Sequence, residues 1–330
     1  MTIEDVARRA GVSTATVSRV LNLSDKVSPA TRERVVQVVR ALGYLPNASA
    51  RTLRTQRSRV LGVVLPTLLN PVFSECLDGM ARAATSADYA IQSITTEYRL
   101  ELEDHAVNLL IKHNVDGIVL VSGNPTTSNA LKRLTSIGLP YVLAYNRHPD
   151  HPCVSVDSEQ AVADLVLRLA NLGHRKIAMI SGRLAVSDRA QQRCRGFLCG
   201  MEAAGLGHAQ VLEVPFVETA VAEICELLQR QPRPTALICS NDLLAIRSIR
   251  AAHLASLSVP RDVSVLGFDG IALGEDLTPV LSTIAQPNGE IGRSSVELLV
   301  QALAGGAPLT AGASLTLPYA FRTGESCSPA

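Results

Sequence analysis

Residues 11–22 read GVSTATVSRVLN, and in a helix their side chains would separate onto two faces. Val12, Val17, Val20 and Leu21 recur at helical spacing and would seat one face on a small core. The other face carries Thr14, Ala15, Ser18, Arg19 and Asn22: small, hydroxylated and armed with one guanidinium. That combination suits the major groove of duplex DNA. A helix there must approach base edges closely, so its outward residues are either small or long and purposeful. Hydroxyls bond phosphates or bases, and an arginine grips guanine with two parallel hydrogen bonds. The GVS turn after a first helix ending at Ala10 is what a helix-turn-helix requires.

Other residues with chemical potential fare less well. His148 and His151, in HPDHP, have a spacing open to metal ligation, but flanking prolines favour a plain loop. The chain shows no G-x-S-x-G elbow, HExxH pair, P-loop or GxGxxG after a strand, so no catalytic residue and no cofactor is assigned. Its seven cysteines form no CxxC pair, which argues against a disulfide framework or a structural zinc site.

The elements that must position the recognition face are short helices. Residues 3–10 form the first, Gly11 makes the turn, and Ser13 caps a second running from Thr14 to about Leu23. Ser28 and Pro29 open a third, and Gly43 stops it. Residues 46–59 carry arginines and no acid, a linker with an incipient helix capped by Asn47. From Val60 onward, strand-length apolar runs (RVLGVVLP, YAIQSI, VDGIVLVSG, LPYVLAYN, RKIAMISG, PTALICSND, VSVLGFDG, LSTIAQP) alternate with amphipathic stretches. These stretches are 71–86, 100–113, 126–137, 158–172, 189–204, 219–230, 242–255 and 289–304. Repeated β-α units specify parallel sheets covered on both faces, here too many for one ordinary sheet.

Composition agrees. A chain of 330 residues exceeds one ordinary domain, and 47% hydrophobic against 18% charged residues suits buried parallel sheets. The net charge of +1 hides an asymmetry: residues 1–59 hold eleven Lys and Arg against four acids, and the remainder is mildly acidic. A basic head implies a polyanionic partner for that head alone. No membrane span and no signal peptide is read, so a cytoplasmic protein is expected, nucleoid-associated when on DNA.

TIEDVARRAGVSTATVSRVLN, followed by VSPATRERV and ALGYLPNASARTL, resembles the DNA-binding head of the LacI/GalR family of bacterial transcription regulators. The likeness is nearly continuous over residues 2–57 and extends through the core. It implies an N-terminal all-α helix-turn-helix head, a hinge helix and a two-lobed α/β effector domain like that of periplasmic binding proteins. Thr14, Ala15 and Arg19 would read bases; Thr2, Ser13, Asn22, Ser28, Thr31, Tyr44 and Asn47 would hold phosphates. Ala50 and Leu53 occupy the hinge positions, the leucine as a minor-groove wedge that unstacks a base step.

In the body the resemblance places Phe73, Arg193, Asn241 and Asp269, with Asn146 and Arg189 beside them, around an effector between the lobes. Arg–Asp–Asn sets suit vicinal hydroxyls, each of which both donates and accepts, so a sugar or sugar acid is expected. With no tryptophan an indole stack is excluded, and Phe216 lies near where some members place such a ring. The expected units are 1–45, 46–59 and 60–324, the last divided into 60–158 with 288–314 and 159–287 with 315–324, before a short frayed tail of 325–330. A homodimer on a near-palindromic operator follows from two-fold symmetry, the family's tetramer-forming leucine helix not being visible after residue 324. An enzyme or a solute-binding protein using the same cleft is the alternative.

Overall fold

The computed structural model describes residues 1–22, 27–44, 57–216, 219–306 and 308–330, with Asn22 described by its backbone alone. The chain divides into two compact units, Met1–Ser58 and Arg59–Ala330.

In the first unit, α1 (Ile3–Ala10) begins with a capping box: Thr2 Oγ1 accepts from the Asp5 amide and the Asp5 side chain accepts from the Thr2 amide. Gly11 ends it at φ 64°, a left-handed conformation that costs glycine nothing. Ser13 Oγ accepts from the Thr16 amide at 3.1 Å ahead of α2 (Thr14–Asn22). Pro29 opens α3 (Pro29–Leu42), but the Ser28 hydroxyl makes no cap bond; it donates to Thr31 Oγ1 at 2.9 Å instead. Val6, Ala10, Val17, Val20, Val35 and Tyr44 close a small core among the three helices. The apolar face read at helical spacing in α2 is thus the buried one.

The second unit contains two six-stranded sheets among the described residues. The first uses β1 (Val60–Leu65), β2 (Ala90–Thr95), β3 (Gly117–Leu120), β4 (Tyr141–Ala144), β5 (Cys153–Val156) and β11 (Leu315–Leu317), in the order β11-β5-β4-β3-β1-β2. The second uses β6 (Ile177–Gly182), β7 (Gln210–Val214), β8 (Ala236–Cys239), β9 (Ser264–Asp269), β10 (Ser282–Ala285) and β12 (Ala320–Arg322), in the order β12-β10-β9-β8-β6-β7. Every pairing is parallel except β10 with β12. Strands β3, β6, β8 and β9 are buried along their whole length, as near-continuous apolar runs predict for sheets covered on both faces.

Helices α4 (Pro71–Ser86), α5 (Leu100–Lys112), α6 (Asn129–Ile137) and α11 (Asn288–Gly305) belong with the first sheet. Helices α7 (Ser158–Asn171), α8 (Asp188–Ala203), α9 (Val221–Gln229) and α10 (Asp242–Leu254) belong with the second. Two helix pairs touch backbone to backbone. A Cβ on Gly292 of α11 would lie 2.0 Å from the Cys76 carbonyl oxygen of α4, and one on Gly196 of α8 would lie 2.1 Å from the Glu159 carbonyl oxygen of α7. Only glycine permits that approach.

The chain passes between the sheets after β5, after β10 and after β11. Two expectations need correction. Leu315–Leu317, assigned by sequence to the second lobe, pairs in parallel with β5 in the first, so the last passage falls after it. The expected frayed tail is anchored: Ser326 is fully buried, its hydroxyl donating to the Val265 carbonyl and accepting from the Ser282 amide at 2.9 Å. Its polar composition concealed this, because the tail is held by hydrogen bonds to strand edges rather than by apolar burial.

Candidate functional site

In the head, the packing of Val17 and Val20 turns Thr14, Ala15 and Arg19 outward, and all three are exposed. Ser13 and Thr2 are exposed at the N-termini of α2 and α1, where free amides and the helix dipole favour anions. Ser28 and half-buried Thr31 stand together at the start of α3 through their hydroxyl–hydroxyl bond. Tyr44, expected at a phosphate, is buried in the head's core. The side chain of Asn22, and Asn47, Ala50 and Leu53 entirely, lie outside the described residues.

In the second unit, the C-terminal ends of parallel strands from both sheets surround a narrow cavity. This is where open α/β sheets place their ligand-binding groups. The turn after β1 gives Phe73, α8 after β6 gives Arg189 and Arg193, the turn after β8 gives Asn241, and the end of β9 gives Asp269. Three helices begin at this cavity, capped by Asn70, Ser187 and Asn241 through their side-chain oxygens.

Arg193 and Asp269 form its polar centre. Their side chains are 3.2 Å apart at 8% and 3% exposure, and the guanidinium lies over the Phe268 ring, 3.7 Å from its centroid. Arg193 Nη1 also donates to the Ser240 carbonyl, and Asp269 Oδ1 accepts from Gln286 Nε2 at 2.8 Å. Burial pushes the Asp269 carboxyl up to about 6, with Arg193 opposing it. The Asp269 backbone sits at φ 121°, in a region that side-chain-bearing residues rarely adopt. Such strain persists only where surroundings impose it, and it concentrates at functional positions.

Behind this pair lies Asp242, fully buried, with its carboxylate accepting from the Ile271 amide at 2.8 Å and the Thr283 hydroxyl at 2.5 Å. Burial, reinforced by the nearby Asp269 charge, raises it to about 7. On the other side Phe73 meets Tyr145 edge to face at 5.9 Å.

Arg189 reaches across the lobes, Nη1 donating to the Ser122 carbonyl at 2.8 Å. Asn241 lines the cavity and also caps α10, its Oδ1 accepting from the Leu244 amide at 2.8 Å. Asn146 is not among the lining residues. Its amide bonds the Ser122 backbone on both sides and Asp188 Oδ2 at 3.1 Å, tying the first lobe to the start of α8.

Sequence reasoning missed Tyr98, which stacks on Phe216 with centroids 4.6 Å apart and planes at 11°. The rings come from opposite lobes and stand between the cavity and an outer groove lined by Leu68, Leu69 and Arg183. A lone tyrosine in a polar turn gives no signal of this. Asn70 did carry one, since an Asn-Pro step before an apolar run is a helix-start pattern. His151 accepts or donates with the Tyr141 hydroxyl at 2.7 Å and stands apart from the cavity.

Residues 2–47 match the bacterial regulatory proteins of the lacI family, and residues 166–327 match the periplasmic binding protein-like domain. Catabolite control protein A of Priestia megaterium is 33% identical over 306 residues, covering 91% of this chain and 92% of its own. The chain belongs to the LacI family. The lac repressor dimer bound to operator and an anti-inducer superposes with a TM-score of 0.89 at 26% identity, over 99% of both chains. The complex of the regulator CelR with cellobiose gives 0.72 at 28% identity, again over 99% of both chains. This LacI-family chain is thus a DNA-binding transcriptional regulator built from a helix-turn-helix head and a two-sheet α/β effector unit. Among the described residues no helix is long and apolar enough to cross a membrane.

Proposed function

We propose that this LacI-family regulator acts in the cytoplasm as a homodimeric repressor whose hold on a near-palindromic operator is set by a sugar or sugar acid between its lobes. The observation that carries the effector half is the buried Arg193–Asp269 pair beside Asn241 at the cavity. Removing two charges from water is expensive, and a pair kept buried at strand ends where ligands bind is better explained by recognition than by stability. The cellobiose-bound neighbour supports a carbohydrate.

On the DNA side, Thr14, Ala15 and Arg19 read base edges, while Thr2, Ser13, Asn22, Ser28, Thr31 and Asn47 position the head on phosphates. The buried Tyr44 can offer at most its rim to a phosphate. Ala50 and Leu53 supply the hinge contacts at the operator's centre. Coupling requires that the effector bind the two poses of the lobes with different affinity, typically by about 1–3 kcal/mol.

The test is selection of genomic fragments by the full-length chain, followed by anisotropy titrations at several salt concentrations. A specific complex that weakens linearly in log salt, and whose affinity shifts with one carbohydrate, is expected. Indifference to every fragment, with and without carbohydrates, would refute the proposal.

A further inference from the structure

Two guanidiniums line the cavity against one carboxylate. Arg189 is 5% exposed and Arg193 6% exposed, one helical turn apart on α8. Asp269 is the one carboxylate among the residues lining the cavity, and it is committed to Arg193. Among the described residues Arg189 has no carboxylate within ion-pair distance, and its Nη1 donates to the Ser122 carbonyl. Its Nη2 is buried without a partner, as is Arg193 Nε.

Three other acids stand near, none of them lining the cavity or paired with Arg189: Asp242, behind Asp269, accepts from the Ile271 amide and the Thr283 hydroxyl. Glu103 accepts from the Ser122 and Ser128 hydroxyls and the Gly123 amide. Asp188 accepts from Asn146 and Gln192. Three helix N-termini at the cavity, of α4, α8 and α10, add further positive potential.

A buried guanidinium with an idle donor is costly unless something answers it. A neutral polyol would satisfy the donor and leave Arg189 without an ionic partner. An oxyanion satisfies both, with two parallel bonds available from the fork of an arginine. Asp269 would repel an anion at its own end, so the ligand has a direction. Its hydroxyls lie toward Arg193, Asp269 and Asn241, and its charged end toward Arg189, where Phe73 faces the guanidinium 6.0 Å away.

We infer that the effector is a compact polyol bearing one oxyanion, a carboxylate or a phosphate monoester, and that Arg189 receives that oxyanion. This rests on the proposed effector role of the cavity and narrows its chemical class.

The test is calorimetry and thermal shift on the full-length chain with matched sets: ribose, ribonate and ribose 5-phosphate; glucose, glucuronate and glucose 6-phosphate. Inorganic phosphate serves as the bare anion. At least one charged member should bind tenfold or more tighter than its neutral counterpart, the carboxylate and phosphate arms telling which oxyanion is used. Raising chloride should weaken that charged ligand and not the neutral one, a readout that needs no variant. Arg189→Gln should remove the tenfold preference, and Arg189→Lys, keeping charge without the fork, should restore part of it.

Neutral sugars that bind as tightly as their charged partners would overturn the inference while leaving a sugar effector standing. Silence from every member, alongside intact operator binding, would overturn the inference and the effector reading together.

Discussion

Asp242→Asn isolates the electrostatic cost of the effector cleft. The side chain is completely buried behind Asp269, and the nearby positive group is Arg322 rather than a direct ion-pair partner. Burial lifts its carboxyl from the ordinary 3.8 to about 7. Below pH 4 the group is protonated in folded and unfolded chains alike and contributes nothing to the pH dependence. Between pH 4 and 7 the folded chain keeps a proton that the unfolded chain has lost, so stability falls as pH rises. Above pH 7 the whole penalty is present, about 4 kcal/mol at most.

Asparagine mimics the protonated form, and one rearranged hydrogen bond offsets about 1 kcal/mol of the gain. The variant should therefore match the wild type or fall slightly below it at pH 4, and exceed it by about 2–3 kcal/mol at pH 8. Urea unfolding at both pH values, followed by tyrosine fluorescence because the chain lacks tryptophan, reads this difference. Asp269 titrates nearby, so the quantity that matters is variant minus wild type, which cancels much of the shared background. A variant that is less stable at pH 8, with a pH slope parallel to the wild type, would show that Asp242 is ionised at no cost and that the reasoning is wrong.

Arg19→Ala should cost about 1–3 kcal/mol at one operator position and relax the base preference there; anisotropy titrations that show equal loss on all sequences would make Arg19 a phosphate contact. Gly292→Ala drives a methyl into the Cys76 carbonyl of the neighbouring helix and should destabilise the effector unit by about 1–3 kcal/mol; an unchanged melting temperature would mean the two helices yield freely. Deleting residues 325–330 removes the buried Ser326 and the Ser328 carbonyl that pairs with His174 at 2.9 Å. The loss should be about 2–3 kcal/mol, and an unaltered urea midpoint would show that the tail is only laid against the sheet.

Much of this was legible because it depends on local chemistry. The α2 face was readable from Val17, Val20, Thr14 and Arg19, since helical period and residue size decide it within one turn. The core helices were readable from amphipathic period, and the long central strands from unbroken apolar runs. Strands β5, β7, β11 and β12 were not, because Ser155, Glu213, Thr316 and Arg322 interrupt their apolar runs. The cleft was partly legible. Asn241 and Asp269 stand at the ends of strands that could be read, and Arg193 on a helix that could be. Tyr98 and Phe216 meet only because two lobes face each other, and no spacing along the chain encodes that. Asn146, expected beside the effector, has its side-chain amide engaged by Ser122 and Asp188, which no spacing along the chain encodes.

The three passages between the sheets share one border. Strands β5 and β11 are neighbours at one edge of the first sheet, and β10 and β12 at one edge of the second; the passages after β10 and β11 link these two edges, and the passage after β5 leaves from the same edge of the first sheet. Backbone links gathered along one border restrain the two leaves there and leave the opposite rim the freer to part, so an occupant that changed their separation would be felt as an angle.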